Sequence, residues 1–170
     1  MKPHKISHVA QVLLRIFAVV ASAISAWLMI TAKQDIVVLG IPISAKYSYS
    51  PAFKFTAIVN VVGSALALLS LCVNCIAMRQ GNPTNYVFLF MHDLVMMSLL
   101  LGGSAAATAI GYIGKHGDRH AGWLPICDQL SSFCNRVFTA VILSYASAAF
   151  FLFLAIISVT ASRPSHFSSM

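Results

Sequence analysis

The chain contains no glutamate and only four acidic residues: Asp35, Asp93, Asp118 and Asp128. Charged residues occupy 9% of its 170 positions, against roughly 25% in a soluble domain. So little charge excludes an ordinary solvated surface. With 59% hydrophobic residues and a mean hydropathy of +0.84, the chain reads as an integral membrane protein, and one compact bundle is the natural domain count at this length. It lacks paired catalytic carboxylates, a nucleophile beside a base and a phosphate-cradling loop, so the sequence supports neither an enzyme nor a cofactor or metal site. There is no basic run. The net charge of +7 comes from 11 Lys and Arg scattered over tails and loops, which suits lipid headgroups and argues against nucleic acid. There is no glycosylation sequon either, because Asn82-Pro83-Thr84 carries the excluding proline.

Four apolar stretches remain. They predict an all-α, integral membrane four-helix bundle with spans over about 12–31, 55–78, 86–110 and 137–161, a terminal tail over 1–11 and another over 162–170. Lys2 and Lys5 precede the first stretch in the manner of a signal peptide. However, the apolar run from Ile16 to Ile30 is at the long end for one, and Trp27-Leu28-Met29-Ile30 is a poor cleavage site. The stretch therefore reads as a retained helix. Between the first two spans, the β-branched segment from Ile36 to Ile43 suggests a short strand pair. A second long loop, Gly111 to Arg136, joins spans three and four. Positive charge is nearly as dense on one side as on the other and does not set the orientation. The cysteines do: Cys127 and Cys134 fit a small disulfide-closed loop, which needs an oxidising compartment. That places both long loops outside and both termini in the cytosol.

The third span, Tyr86 to Ile110, is organised around an anomaly. Asp93 lies within it, and Arg15 lies within span one, each about 9–12 Å below the same surface at 1.5 Å per residue. A lone charge at such depth costs about 2.5–3.5 kcal/mol even on the translocon scale, so matched depths predict an ion pair between neighbouring helices. The plainer alternative is an Arg15 that snorkels to the interface and a protonated Asp93. A proton or ion path through Asp93, making the chain a small transporter or channel, is the competing functional class. His92 is adjacent, but on a helix it points about 100° away from Asp93.

Other constellations have bland readings. Cys127 and Cys134 could be free thiols, and with His116 and His120 they match no standard zinc spacing. Cys72-Val73-Asn74-Cys75 lies inside span two. It reads as small apolar packing, or as a palmitoylation site at Cys75. A quinone-linked redox role fails because the two cysteine pairs fall on opposite sides of the bilayer. Small residues at four-residue spacing, among them Gly63 and Ala67 in span two, Gly103, Ala107 and Gly111 with the adjoining Gly102 in span three, and Ala140, Ser144 and Ala148 in span four, let helix backbones approach closely, within one chain or between copies.

Four spans with Arg15 in the first and Asp93 in the third resemble the Casparian strip membrane domain protein-like (CASP-like) family of plants, related to the MARVEL four-span proteins. Two loop motifs strengthen the resemblance. Tyr49-Ser50-Pro51-Ala52-Phe53-Lys54-Phe55 leads into span two, and Trp123-x-x-x-Cys127 with Phe133-Cys134 leads into span four. Together they cover the chain from about Val12 to Ala161. The acidic, aromatic signature of true Casparian-strip members is absent, since Tyr47 to Phe55 is basic and has no Glu. The resemblance implies a multi-pass plasma-membrane scaffold that forms homo-oligomers, and hetero-oligomers with related CASP-like proteins, sits among membrane lipids and recruits cell-wall-modifying enzymes. Claudin-type cysteines in the first loop and a tetraspanin Cys-Cys-Gly are both lacking.

Overall fold

The computed structural model describes residues 3–38, 41–80, 84–118 and 120–162, with side chains over 9–37, 42, 44–73, 87–118 and 120–159. Helix α1 spans Pro3–Ile30. Strands β1 (Lys33–Val38) and β2 (Ile41–Lys46) and a 3-10 turn (Tyr47–Tyr49) follow. Helices α2 (Pro51–Gln80), α3 (Thr84–His116) and α4 (Ser131–Ser162) complete the fold. Among the described residues, four helices are long and apolar enough to cross a bilayer, over Val9–Ile30, Pro51–Val73, Val87–His116 and Ser131–Val159. At 28 to 33 residues each, the full helices outrun a hydrocarbon core of about 30 Å.

The helices form a ring in which α1 packs on α2 and α4, and α3 packs on the same two. Two apolar clusters build the core. One, at the hairpin end, is centred on Met29, Phe53, Phe133 and Val137. The other lies nearer the termini and is centred on Met96, Leu100, Phe151 and Leu154. In α4, Ser144 falls between Val141 of the first cluster and Ala148 of the second.

The helices run past the boundaries that hydropathy suggests, for local reasons. Pro51 starts α2 four residues before Phe55, as proline suits a first helical position where its missing N–H has no partner to lose. Gly111 and Gly114 read as breaks in the sequence, yet α3 continues through them. A Cβ at Gly111 would meet the Phe138 ring at 3.8 Å, and one at Gly114 would meet Cys127 Sγ at 3.7 Å. These glycines are places where a neighbouring element lies close, and that packing outweighs their low propensity, about 1 kcal/mol relative to Ala. The true stop is Gly117. It takes φ +71°, donates its N–H to Ile113 O at 2.7 Å, and has Trp123 O where a Cβ would stand, 2.6 Å away. Charge at Arg136 interrupts the apolar pattern of span four on its N-terminal side. In the structure α4 begins at Ser131, six residues before the expected span, because the guanidinium lies beside the bundle and donates to Thr31 O at 3.1 Å.

The β-branched segment forms an antiparallel pair with Lys33 opposite Lys46 and Val38 opposite Ile41. The all-α description therefore holds for the membrane part, with this hairpin outside it. The second loop shrinks from 26 residues to a connection over 117–130. Asp118 and Trp123 exchange backbone hydrogen bonds at 2.9 Å, and Ile126 and Cys127 both donate to Gly114 O, at 2.9 and 3.1 Å. Cys127 and Cys134 are disulfide-bonded, with Cα atoms 5.7 Å apart. Cys134 lies in the first turn of α4, so the bridge clips the connection to that helix.

Replacing Cys127 and Cys134 together by Ala should lower unfolding stability by about 2–3 kcal/mol through the freed unfolded chain. Mass analysis of unreduced protein after alkylation should find both thiols blocked. Alkylated Cys127 in folded protein would contradict this arrangement.

Candidate functional site

The site is a polar core inside an apolar bundle. Arg15 on α1 and Asp93 on α3 each lie six residues into their spans, after Val9 and Val87, roughly 9 Å deep by helical rise. Both side chains are fully buried. Arg15 Nη1 donates to Asp93 Oδ1 at 3.0 Å and Nη2 to Oδ2 at 2.8 Å. This is the two-pronged geometry in which guanidinium and carboxylate match best. Nη1 also donates to Ser70 Oγ at 2.6 Å, and Ser70 in turn donates to Ala67 O at 2.8 Å. One cation thus gathers α1, α2 and α3.

Two features depart from the sequence expectation. Helices α1 and α3 stand across the ring rather than side by side, so the pair passes through the bundle interior, where both groups escape lipid. His92 does not stay clear of Asp93: its Nδ1 lies 3.2 Å from Asp93 Oδ1, and its ring meets Phe151 edge-on at 6.5 Å. A 100° offset describes where the side chains leave the helix, and a long ring bends back across that gap.

A second polar layer was missed from sequence. Asn60 Nδ2 donates to Ser144 Oγ at 3.0 Å and to Thr56 O at 2.8 Å, and Ser104 Oγ donates to Ser144 Oγ at 2.8 Å. Thr56 Oγ1 donates to Gly103 O at 2.7 Å, and Ser25 Oγ to Ala140 O at 2.7 Å. These residues are all buried. Ser144 reads in sequence as a small packing residue. The available signal was Asn60, an amide in the middle of an apolar span, which needs an interhelical partner.

The small residues divide. Gly103 faces α2, with Thr56 Cα 3.4 Å from where its Cβ would stand, and Gly63 faces Met96 at 3.4 Å. Ala107 is buried, and Gly111 faces Phe138. Gly102 differs from the others: it packs against nothing within 4 Å and points out of the bundle, which leaves it only the contact between copies. The loop aromatics divide too. Phe53 and Phe133 are buried and meet edge-on at 6.2 Å, joining the two loop motifs. The Phe133 N–H donates to Gln34 Oε1 of β1 at 2.9 Å. Pro51 starts α2, whereas Tyr49, Phe55 and Trp123 are exposed. The Cys75 side chain lies outside the described residues; Cys72 is an exposed free thiol.

The arrangement is a clasp. Removing one partner strands the other charge in a dry interior, at a cost of about 3–5 kcal/mol. Arg15→Leu and Asp93→Leu should each lower stability by that order in detergent unfolding. Arg15→Leu/Asp93→Leu should recover much of the loss, because no lone charge remains. A coupling energy near zero would contradict the clasp.

The Casparian strip membrane protein domain matches residues 4–150 of this chain. CASP-like protein 1F1 of Populus trichocarpa is 49% identical over 164 residues, covering 96% of this chain and 91% of its own. The 1F1 protein of Vitis vinifera is 47% identical, covering 94% and 78%. The 1F1 protein of Arabidopsis thaliana is 36% identical, covering 90% and 89%. No solved structure matches the chain. With a domain match over most of its length and relatives of nearly half identity over most of both chains, this four-span chain belongs to the CASP-like family of membrane proteins.

Proposed function

We propose that this protein is a structural scaffold of the plasma membrane, with cytosolic termini and both connecting loops outside. It self-associates, joins related CASP-like chains, and provides a platform for cell-wall-modifying enzymes; it carries no catalysis of its own. The observation that carries the self-association is the outward face of α3. Ser98, Gly102, Ala105 and Ala109 are exposed there at spacings of four, three and four residues, and Gly102 leaves open space beside it. In a bilayer such a face lets a second helix backbone approach closely, where lipid tails leave van der Waals packing as the main attraction. The disulfide supports outward loops, since it requires an oxidising side. The engagement of Asp93 supports a scaffold over a transporter, since both carboxylate oxygens are held by Arg15.

Single-molecule photobleaching in liposomes should find multimers for the wild type. Gly102→Leu should lower the multimer fraction without changing unfolding stability. Gly103→Leu should instead destabilise the fold, because it drives a side chain into Thr56. Unchanged association in Gly102→Leu would remove this face from the interface. An ion flux in proteoliposomes that disappears in Asp93→Asn would overturn the scaffold reading in favour of a transporter.

A further inference from the structure

At the hairpin end, a cleft of about 330 Å³ opens between the end of α1 and the start of α2. That is within the roughly 300–1,000 Å³ range of small-molecule sites. Its lining is graded. Tyr47 and Lys54 stand at the hairpin end, and Ala57, Ile58, Val61 and Val62 run below them along α2. From Lys54 to Val62 the helix rises roughly 12 Å. Ala57 is 3% exposed and forms the floor; Ile58, at 60%, and Val61, at 45%, form a lip open to the surrounding hydrocarbon.

The charge around the mouth of the cleft is mostly positive. Among the described residues, the ion pairs engage Arg15 and His92 with Asp93, and His120 with Asp118; none involves Lys54. Lys33 and Lys46 stand opposite each other at the base of the hairpin, and Arg136 lies beside Thr31. Asp35 is the hairpin's one carboxylate against this group. Lys54 also sits in the first turn of α2, which has no acidic residue, so the helix dipole adds to the attraction for an anion.

We propose that this cleft binds one anionic phospholipid, its phosphate against Lys54 and Tyr47 and one acyl chain along Ala57, Ile58 and Val61. A zwitterionic lipid would fill the apolar part equally well, so selectivity rests on the uncompensated ammonium group. The site is distinct from the α3 face and does not depend on self-association.

Native mass spectrometry of the full chain, released from phosphatidylcholine vesicles doped with phosphatidylglycerol, reads this directly. The wild type should retain phosphatidylglycerol in preference to phosphatidylcholine by about fivefold, the weight of one basic residue near an anionic surface. Lys54→Gln should abolish the preference. Val61→Trp, which fills the cleft and leaves Lys54 in place, should lower retention of both lipids. Leu152→Trp, on the exposed face of α4, should change neither, and thermal unfolding of each variant checks that the fold is intact. Equal retention of the two lipids by wild type, or a preference that survives Lys54→Gln, would overturn the proposal. So would full retention in Val61→Trp, which would reduce Lys54 to a headgroup contact without a chain site. Displacement of the lipid by free glycerol phosphate would also count against it, since the acyl chain would then contribute nothing.

Discussion

Everything in this bundle is arranged around one guanidinium that cannot be left alone. Arg15 and Asp93 are fully buried, about 9 Å into their spans. Beyond each other, among the described residues, their side chains hydrogen-bond only with Ser70 Oγ on the arginine side and His92 Nδ1 on the aspartate side. A buried pair need not stabilise a fold relative to apolar side chains. What it does is penalise every arrangement in which the two fail to meet. Because α1 and α3 lie across the ring, satisfying the pair sets their depths and rotations together, and Ser70 brings α2 into the same register. Apolar helices in lipid slide and rotate at little cost, since lipid tails compete equally for their surfaces. A pair that fixes register is therefore more informative here than in a water-soluble core.

The second polar layer repeats this logic at lower energy. Asn60, Ser104 and Ser144 link α2, α3 and α4, and Ser25 ties α1 to α4. Interhelical hydrogen bonds of this kind in membranes average about 0.6 kcal/mol, too little to hold the bundle but enough to choose among packings. At the hairpin end, Phe53 against Phe133, Gln34 on the start of α4 and the Cys127–Cys134 bridge close that end of the bundle. That leaves the interior fixed and the outward faces simple, an arrangement that suits the proposed scaffold role.

Much of this was legible in the sequence because membrane physics leaves few options. Four apolar stretches with scarce charge permit little besides four helices, and two charges at matching depth favour a pair over a snorkelling Arg15 with a protonated Asp93. The less legible parts have physical reasons. Helix ends were hard to see because Gly111, Gly114 and Arg136 carry breaker or charge signals that tertiary contacts override. The diagonal placement of α1 and α3 depends on ring order, which local sequence does not encode. The contact of His92 with Asp93 is not legible because helical angle says where a side chain starts and not where it ends. Gly102 and Gly103 are adjacent and chemically identical, and only the packed bundle tells that one faces Thr56 and the other faces out.

The central claim is that Arg15 and Asp93 form a charged, two-pronged pair inside the folded protein in lipid. Solid-state NMR on protein in bilayers, with ¹⁵N in the Arg15 guanidinium and ¹³C in the Asp93 carboxyl, measures this directly. The N···O distances of 2.8 and 3.0 Å predict a measurable through-space dipolar coupling from both terminal guanidinium nitrogens to that carbon, with the carbon shift of an ionised carboxylate. Absent coupling, with the shift of a protonated acid, would mean that the two residues do not meet.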